Sequence, residues 1–176
     1  MVTIQLPRDF KEFLKLLSSQ RVEYLVIGGF AVGYHGYPRP TGDLDIWIAV
    51  NPRNAEKIVA VLKEFGFAVL ELSTDLFLKK RKIIRMGVSP LRIEITTTIS
   101  GVKFDECYAN RIVDTLDGVE VNLINLNHLK INKKASGRLK DLNDLENLSR
   151  KKSKRSTEPK LQQSKKRIIK TSHEKK

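Results

Sequence analysis

Residues 24–50 read YLVIGGFAVGYHGYPRPTGDLDIWIAV, and the order of elements in this stretch decides the fold. Tyr24-Leu25-Val26-Ile27 is a short apolar run stopped by Gly28-Gly29, the pattern of a buried strand ending in a tight turn. FAVGYHGY then reads as a short helix, which Pro38 and Pro40 bring to an end. From Asp43 to Val50 the residues alternate in the manner of a strand. Leu44, Ile46 and Ile48 take the core-facing side, and Asp43 and Asp45 project from the other.

The flanking sequence supplies the remaining elements. DFKEFLKLLS (9–18) spaces Phe10, Phe13, Leu14 and Leu17 as one helix face, with Asp9 as its expected cap. RNAEKIVAVLKEF (53–65) is an amphipathic helix, and Gly66 stands where a helix stop belongs. Strand-like runs follow at 67–71, 82–87 and 91–97, then a helix from about 104 to 110. Asp117-Gly118 is a two-residue hairpin signal between Ile112–Leu116 and Val119–Ile124. Beyond Asn125 two helical pieces divide near Gly137. Helices and strands in this order predict an α+β fold, a mixed sheet flanked by helices.

Composition narrows the functional classes. The chain has 176 residues, 40% hydrophobic and 30% charged, which suits one water-soluble domain with a real core. The formal charge of +13 is unevenly placed: residues 150–176 hold twelve Lys/Arg and two acids, so +10 belongs to that segment. Its composition predicts a basic tail that is disordered in isolation, and puts the folded domain at 1–149. Cys107, the single cysteine, has no partner for an intramolecular disulfide. With no apolar run of about 18 residues and no secretory leader, a cytoplasmic protein without a membrane span is expected.

Three features carry chemistry. Gly28-Gly29 ends a strand before a helix, a place where bare backbone can approach a phosphate; taken alone it is also a plain turn. Asp43 and Asp45 project from one strand face about 7 Å apart, a costly pair unless solvated or bridged by a cation such as Mg²⁺. By itself this is also how a solvated strand edge looks. Glu94, in Leu91-Arg92-Ile93-Glu94-Ile95, is one acid in an otherwise apolar strand, and lone acids of this kind are often surface decoration. If its strand pairs near the Asp43–Asp45 strand, three carboxylates meet. The three features in this order are far more specific than any one of them.

The string IGGFAVGYHGYPRPTGDLDIWI (27–48) resembles the signature of the polymerase-beta-like nucleotidyltransferase superfamily. Within it, Arg39-x-Thr41-x-Asp43-x-Asp45 is similar to the small stand-alone nucleotidyltransferases, including AbiEii-type toxin–antitoxin enzymes. RIEITTTISGVKFDECYANR (92–111) is similar to the strand that bears the third carboxylate and the helix after it, with Glu94 where Asp is common. Asn132 to Asp141, with Asp144 beyond, resembles the C-terminal helix pair of the same family. The resemblance covers roughly residues 21–148 and implies a nucleotidyltransferase fold with C-terminal helices. It also implies catalysis and metal binding by Asp43, Asp45 and Glu94, with Mg²⁺ or Mn²⁺ as cofactor. Nucleoside triphosphate would be bound by Gly28, Gly29, Arg39, Thr41, Lys133 and Arg138.

Several other residues have plain readings. His35, His128 and His173 lack metal-ligand spacing, so no zinc site is expected. Cys107 falls on a helix and is expected to be inert. Trp47 shares the face of Asp43 and Asp45, where it either stacks on a base or simply packs. Two functions compete: transfer of a nucleotide to a protein, RNA or small-molecule hydroxyl, or a fold without chemistry that binds nucleic acid or a partner. The basic tail suits RNA or DNA in either case, and an antitoxin-like partner follows from the toxin–antitoxin likeness.

Overall fold

The computed structural model describes residues 3–155, and at its centre lie the two strands expected within residues 24–50. Strand β1 (Tyr24–Ile27) is buried at all four residues. Strand β2 (Asp43–Ile48) runs antiparallel to it, with Ile27 opposite Asp45. Leu44, Ile46 and Ile48 are wholly buried, each contributing about 1.5–3 kcal/mol of apolar burial. Between the strands, helix α2 (Gly28–Tyr34) begins directly at the glycine pair.

Strands β3 (Ile83–Val88) and β4 (Leu91–Thr96) form an antiparallel hairpin, and β4 pairs parallel to β2. A parallel neighbour needs a crossover, which helix α3 (Pro52–Glu64) and the following segment provide. The Asn51 side chain caps α3 by accepting from the Asn54 amide, and Gly66 follows the helix with φ +100°. Strands β5 (Ile112–Leu116) and β6 (Val119–Leu123) make the hairpin signalled by Asp117-Gly118, both of which adopt positive φ. β6 then pairs parallel to β1, giving one six-stranded sheet in the order β3-β4-β2-β1-β6-β5.

Helix α1 (Arg8–Ser19) buries Phe10, Phe13, Leu14 and Leu17 and packs on β6 and α3. Asp9 does not cap it. Pro7 holds the cap position, and Asp9 lies in the first turn, where its charge favours the helix dipole. Helix α4 (Phe104–Ala109) buries Cys107. The C-terminal pair, α5 (Leu126–Ser136) and α6 (Leu139–Arg155), is divided at left-handed Gly137.

The run at 67–71 forms no strand. Val69 and Leu70 are 49% and 102% exposed, and the six-stranded order gives this run no partner strand. The buried residue of this connection is Phe77, in a 3-10 turn packed on α3. α6 continues through the position where composition ends the domain, and residues 156–176, most of the basic tail, lie outside the described residues. Among the described residues no helix is long and apolar enough to cross a membrane.

Candidate active site

The strand register assembles the acids. Asp43 and Asp45 share the face of β2 opposite its buried isoleucines, and β4 sets Arg92 level with Asp43 and Glu94 level with Asp45. All three carboxylates therefore lie on one side of two adjacent strands. Burial pushes the Asp45 carboxyl up to about 6, and the charges of Glu94 and Asp43 push the same way. Lys133 and then Lys140 oppose that shift, which places α5 and the start of α6 beside the acids.

Close approach explains the glycines in front of them. A Cβ at Gly28 would fall 2.0 Å from Asp45 Oδ2 and 2.9 Å from Asp45 Cβ, and Gly28 has φ +64°. One at Gly29 would meet Thr41 Oγ1 at 2.6 Å, and Thr41 donates that hydroxyl to the Asp43 carbonyl at 3.3 Å. Gly42 fits the same way, since a Cβ there would strike the Pro90 carbonyl 2.0 Å away in the β3–β4 turn. The sequence reading did not single out Gly42, although its place just before Asp43 was the available signal.

Two arginines contact the acids, and neither was singled out from sequence. Arg92 donates to Asp43 Oδ2 at 3.2 Å and lies 3.0 Å from Glu94 Oε1; Arg85, from β3, reaches Glu94 Oε1 at 3.0 Å. Arg92 was legible as residue i−2 from Glu94, on the same strand face. Three hard-oxygen donors on one face, one of them pushed toward protonation by burial and then by its acidic neighbours, have the donor chemistry that suits a divalent cation such as Mg²⁺ or Mn²⁺. As they stand, the acids are not gathered closely enough to hold a metal ion, and among the described residues no group of three His, Cys, Asp or Glu side chains is; Arg92 lies between Asp43 and Glu94.

The nominated phosphate-binding cations are engaged by two other carboxylates. Arg39 grips Asp144 through two nitrogens, at 2.7 and 2.9 Å, and Asp144 is fully buried. Lys133, 4% exposed, sits between Asp141 at 2.6 Å and Asp144 at 3.0 Å. Arg138 and Ser136 both donate to Asp141 Oδ2 at 2.6 Å. Burial alone would raise the Asp141 carboxyl, but the hydrogen bonds of Lys133, Ser136 and Arg138 bring it down to about 2. This network clamps the loop before β2 onto the C-terminal helices. Lys140, one residue before Asp141, is exposed and has no ion-pair partner among the described residues.

The remaining candidates pack. Trp47 is 2% exposed and meets Phe104 edge-on at 5.1 Å, so it is closed to a base in this arrangement. Burial raises the Cys107 thiol to about 11, which leaves it un-ionised at neutral pH. His35 contacts the Ile124 carbonyl at 2.8 Å, His128 contacts Asn125, and His173 lies outside the described residues.

Comparison with known proteins agrees with the fold. The chain is similar to the crystal structure of a candidate nucleotidyltransferase from Thermotoga maritima, with a TM-score of 0.50 and 15% identity over 84% of this chain and 92% of that one. No protein of curated function matches it. A family model described as "nucleotidyl transferase of unknown function" (DUF2204) matches residues 7–176. That match spans most of the sequence, and the chain belongs to this nucleotidyltransferase family.

Proposed function

We propose that the chain transfers a nucleoside monophosphate from a nucleoside triphosphate to a hydroxyl, with Mg²⁺ or Mn²⁺ held by Asp43, Asp45 and Glu94. The observation that carries this is the parallel β2–β4 register, which sets Glu94 level with Asp45 and beside Asp43 on one open sheet face. A divalent ion bound there would take up charge from the triphosphate and steady both the attacking and departing oxygens of an in-line displacement. Asp43 and Asp45 supply the oxygens that hold it. Glu94 completes the set and is placed to take the proton of the attacking hydroxyl. That hydroxyl oxygen bonds to the α-phosphorus as the bond to the bridging oxygen breaks, and pyrophosphate leaves.

Gly28 and Gly29 give the triphosphate access to backbone beside Asp45. Because Arg39, Lys133 and Arg138 each already serve a buried carboxylate, Lys140 is the basic residue best placed to meet the phosphates. The +10 of residues 150–176 favours RNA as acceptor, which label passing from radioactive triphosphate into RNA would establish and label appearing only in protein would refute.

Titration calorimetry tests the site. Wild type should bind triphosphate only with Mg²⁺, and the Asp43→Asn/Asp45→Asn variant should not bind it; equal binding by the variant would refute the assignment. Placement among AbiEii-type toxins rests on the Arg39–Asp45 string. It adds a second readout to the same pair: expression of wild type arrests a bacterial host, and the variant does not.

A further inference from the structure

Neither arginine on the acid cluster has a part in the reaction just described, and Arg92 is the one that bridges two of the acids. Arg92 stands two residues before Glu94 on β4, and the register sets it opposite Asp43 on the same face. A single nitrogen, Nη2, lies 3.2 Å from Asp43 Oδ2 and 3.0 Å from Glu94 Oε1. That is the place where two hard oxygen donors from neighbouring strands would share a cation. Three like charges on one face repel, so some positive group is needed there in the absence of a metal.

The hold on Arg92 is incomplete. Its Nε is buried without a hydrogen-bond partner, and the side chain is 35% exposed. Arg39 is the contrast within the same molecule, since it meets Asp144 through two nitrogens as a planar fork. Arg85 differs in another way. It reaches only Glu94, from the edge strand, and bridges nothing.

We propose that Arg92 holds the cation position between Asp43 and Glu94 until a divalent ion displaces it, and that the released guanidinium then binds the nucleotide's phosphates. The proposal rests on the nucleotidyltransferase reading above. The Arg92 backbone is fixed in β4, so a side chain that leaves the acids stays over the same face, where its fork suits a phosphate better than its present contact does. Metal and nucleotide then bind cooperatively, because the ion frees the arginine and the phosphates keep it from returning.

The test is Mn²⁺ binding to the full chain without nucleotide, followed by electron paramagnetic resonance, in wild type, Arg92→Gln, Arg92→Lys and Arg85→Gln. Removing a unit charge a few ångströms from the ion should tighten Mn²⁺ binding in Arg92→Gln by about fivefold or more. The same variant should bind triphosphate about tenfold more weakly at saturating Mn²⁺. Arg85→Gln should show a smaller gain in Mn²⁺ affinity and no loss of triphosphate affinity. Unchanged or weaker Mn²⁺ binding in Arg92→Gln overturns the proposal and makes Arg92 a fixed organiser of the acids. Should Arg92→Gln not fold, Arg92→Lys decides: near-wild-type Mn²⁺ affinity with weakened triphosphate binding supports the proposal, and weakened binding of both overturns it. Failure of the nucleotidyltransferase reading is distinguishable, since Asp43→Asn/Asp45→Asn would then bind Mn²⁺ as wild type does.

Discussion

Two charge clusters lie near each other, and their balance is reversed. Around Asp141 and Asp144, three cations (Arg39, Lys133 and Arg138) meet two carboxylates, and both carboxylates are buried. Around Asp43, Asp45 and Glu94, two arginines meet three carboxylates on a more open face. The first cluster is closed, its acids held well ionised; the second is short of positive charge, and one of its acids is driven toward protonation. A closed cluster fixes geometry, whereas an open one has something left to bind.

The largest effect should come from opening the closed cluster. Asp144→Ala leaves Arg39 and Lys133 without their shared buried partner and should cost about 3–5 kcal/mol in urea unfolding. A loss below about 1 kcal/mol would mean the two clusters do not differ in kind.

The pH dependence of stability should separate them by sign. Asp45 has a folded pKa of about 6, above its ordinary value, so the folded chain binds the extra proton and gains stability as pH falls from 7 toward 4. The gain should be about 1–3 kcal/mol in metal-free buffer and absent in Asp45→Asn. Asp141, held at about 2, acts oppositely: its contribution is complete above the ordinary carboxylate range and is lost as pH falls from about 4 to 2. Unfolding curves at pH 7, 5 and 3 contain both trends, and a wild-type curve that falls steadily from pH 7 to 5 by an amount set by Asp45 would contradict the first.

The smallest effect should be the most selective. Lys140→Ala removes an exposed charge with no ion-pair partner among the described residues, so stability should stay within about 0.5 kcal/mol of wild type. Triphosphate binding should nevertheless weaken about three- to tenfold in calorimetry. Equal affinity would return phosphate contact to Lys133 or Arg39.

How much of this was legible depended on whether a feature is local. Strands β1 and β2, the glycines between them and the face carrying Asp43 and Asp45 follow from short-range patterns, and all appear as expected. The strand of Glu94 was legible too, but its level with Asp45 is set by a parallel pairing across an intervening helix and hairpin, which no local pattern encodes. The same reason accounts for 67–71, where strand-like residues have no neighbour. For Arg39 and Lys133 the sequence displayed charge without partners. The resemblance implied phosphate contact for both, while Asp141 and Asp144 lay inside the quoted motif with no role assigned. Lys140 was overlooked within that motif, because an exposed lysine on a helix looks like any solvated side chain.

The contact between Gly28 and Asp45 ties two positions into one heritable unit. Because a side chain at 28 would overlap not only the carboxylate of Asp45 but its Cβ, position 28 cannot drift while a side chain stands at 45. A descendant that fills position 28 must first have surrendered the acid at 45, whereas one that loses the acid can keep the glycine unchanged. Among relatives of this chain, a bulky residue after the first strand should therefore mark lineages in which the chemistry has already been abandoned, legible at a single alignment column.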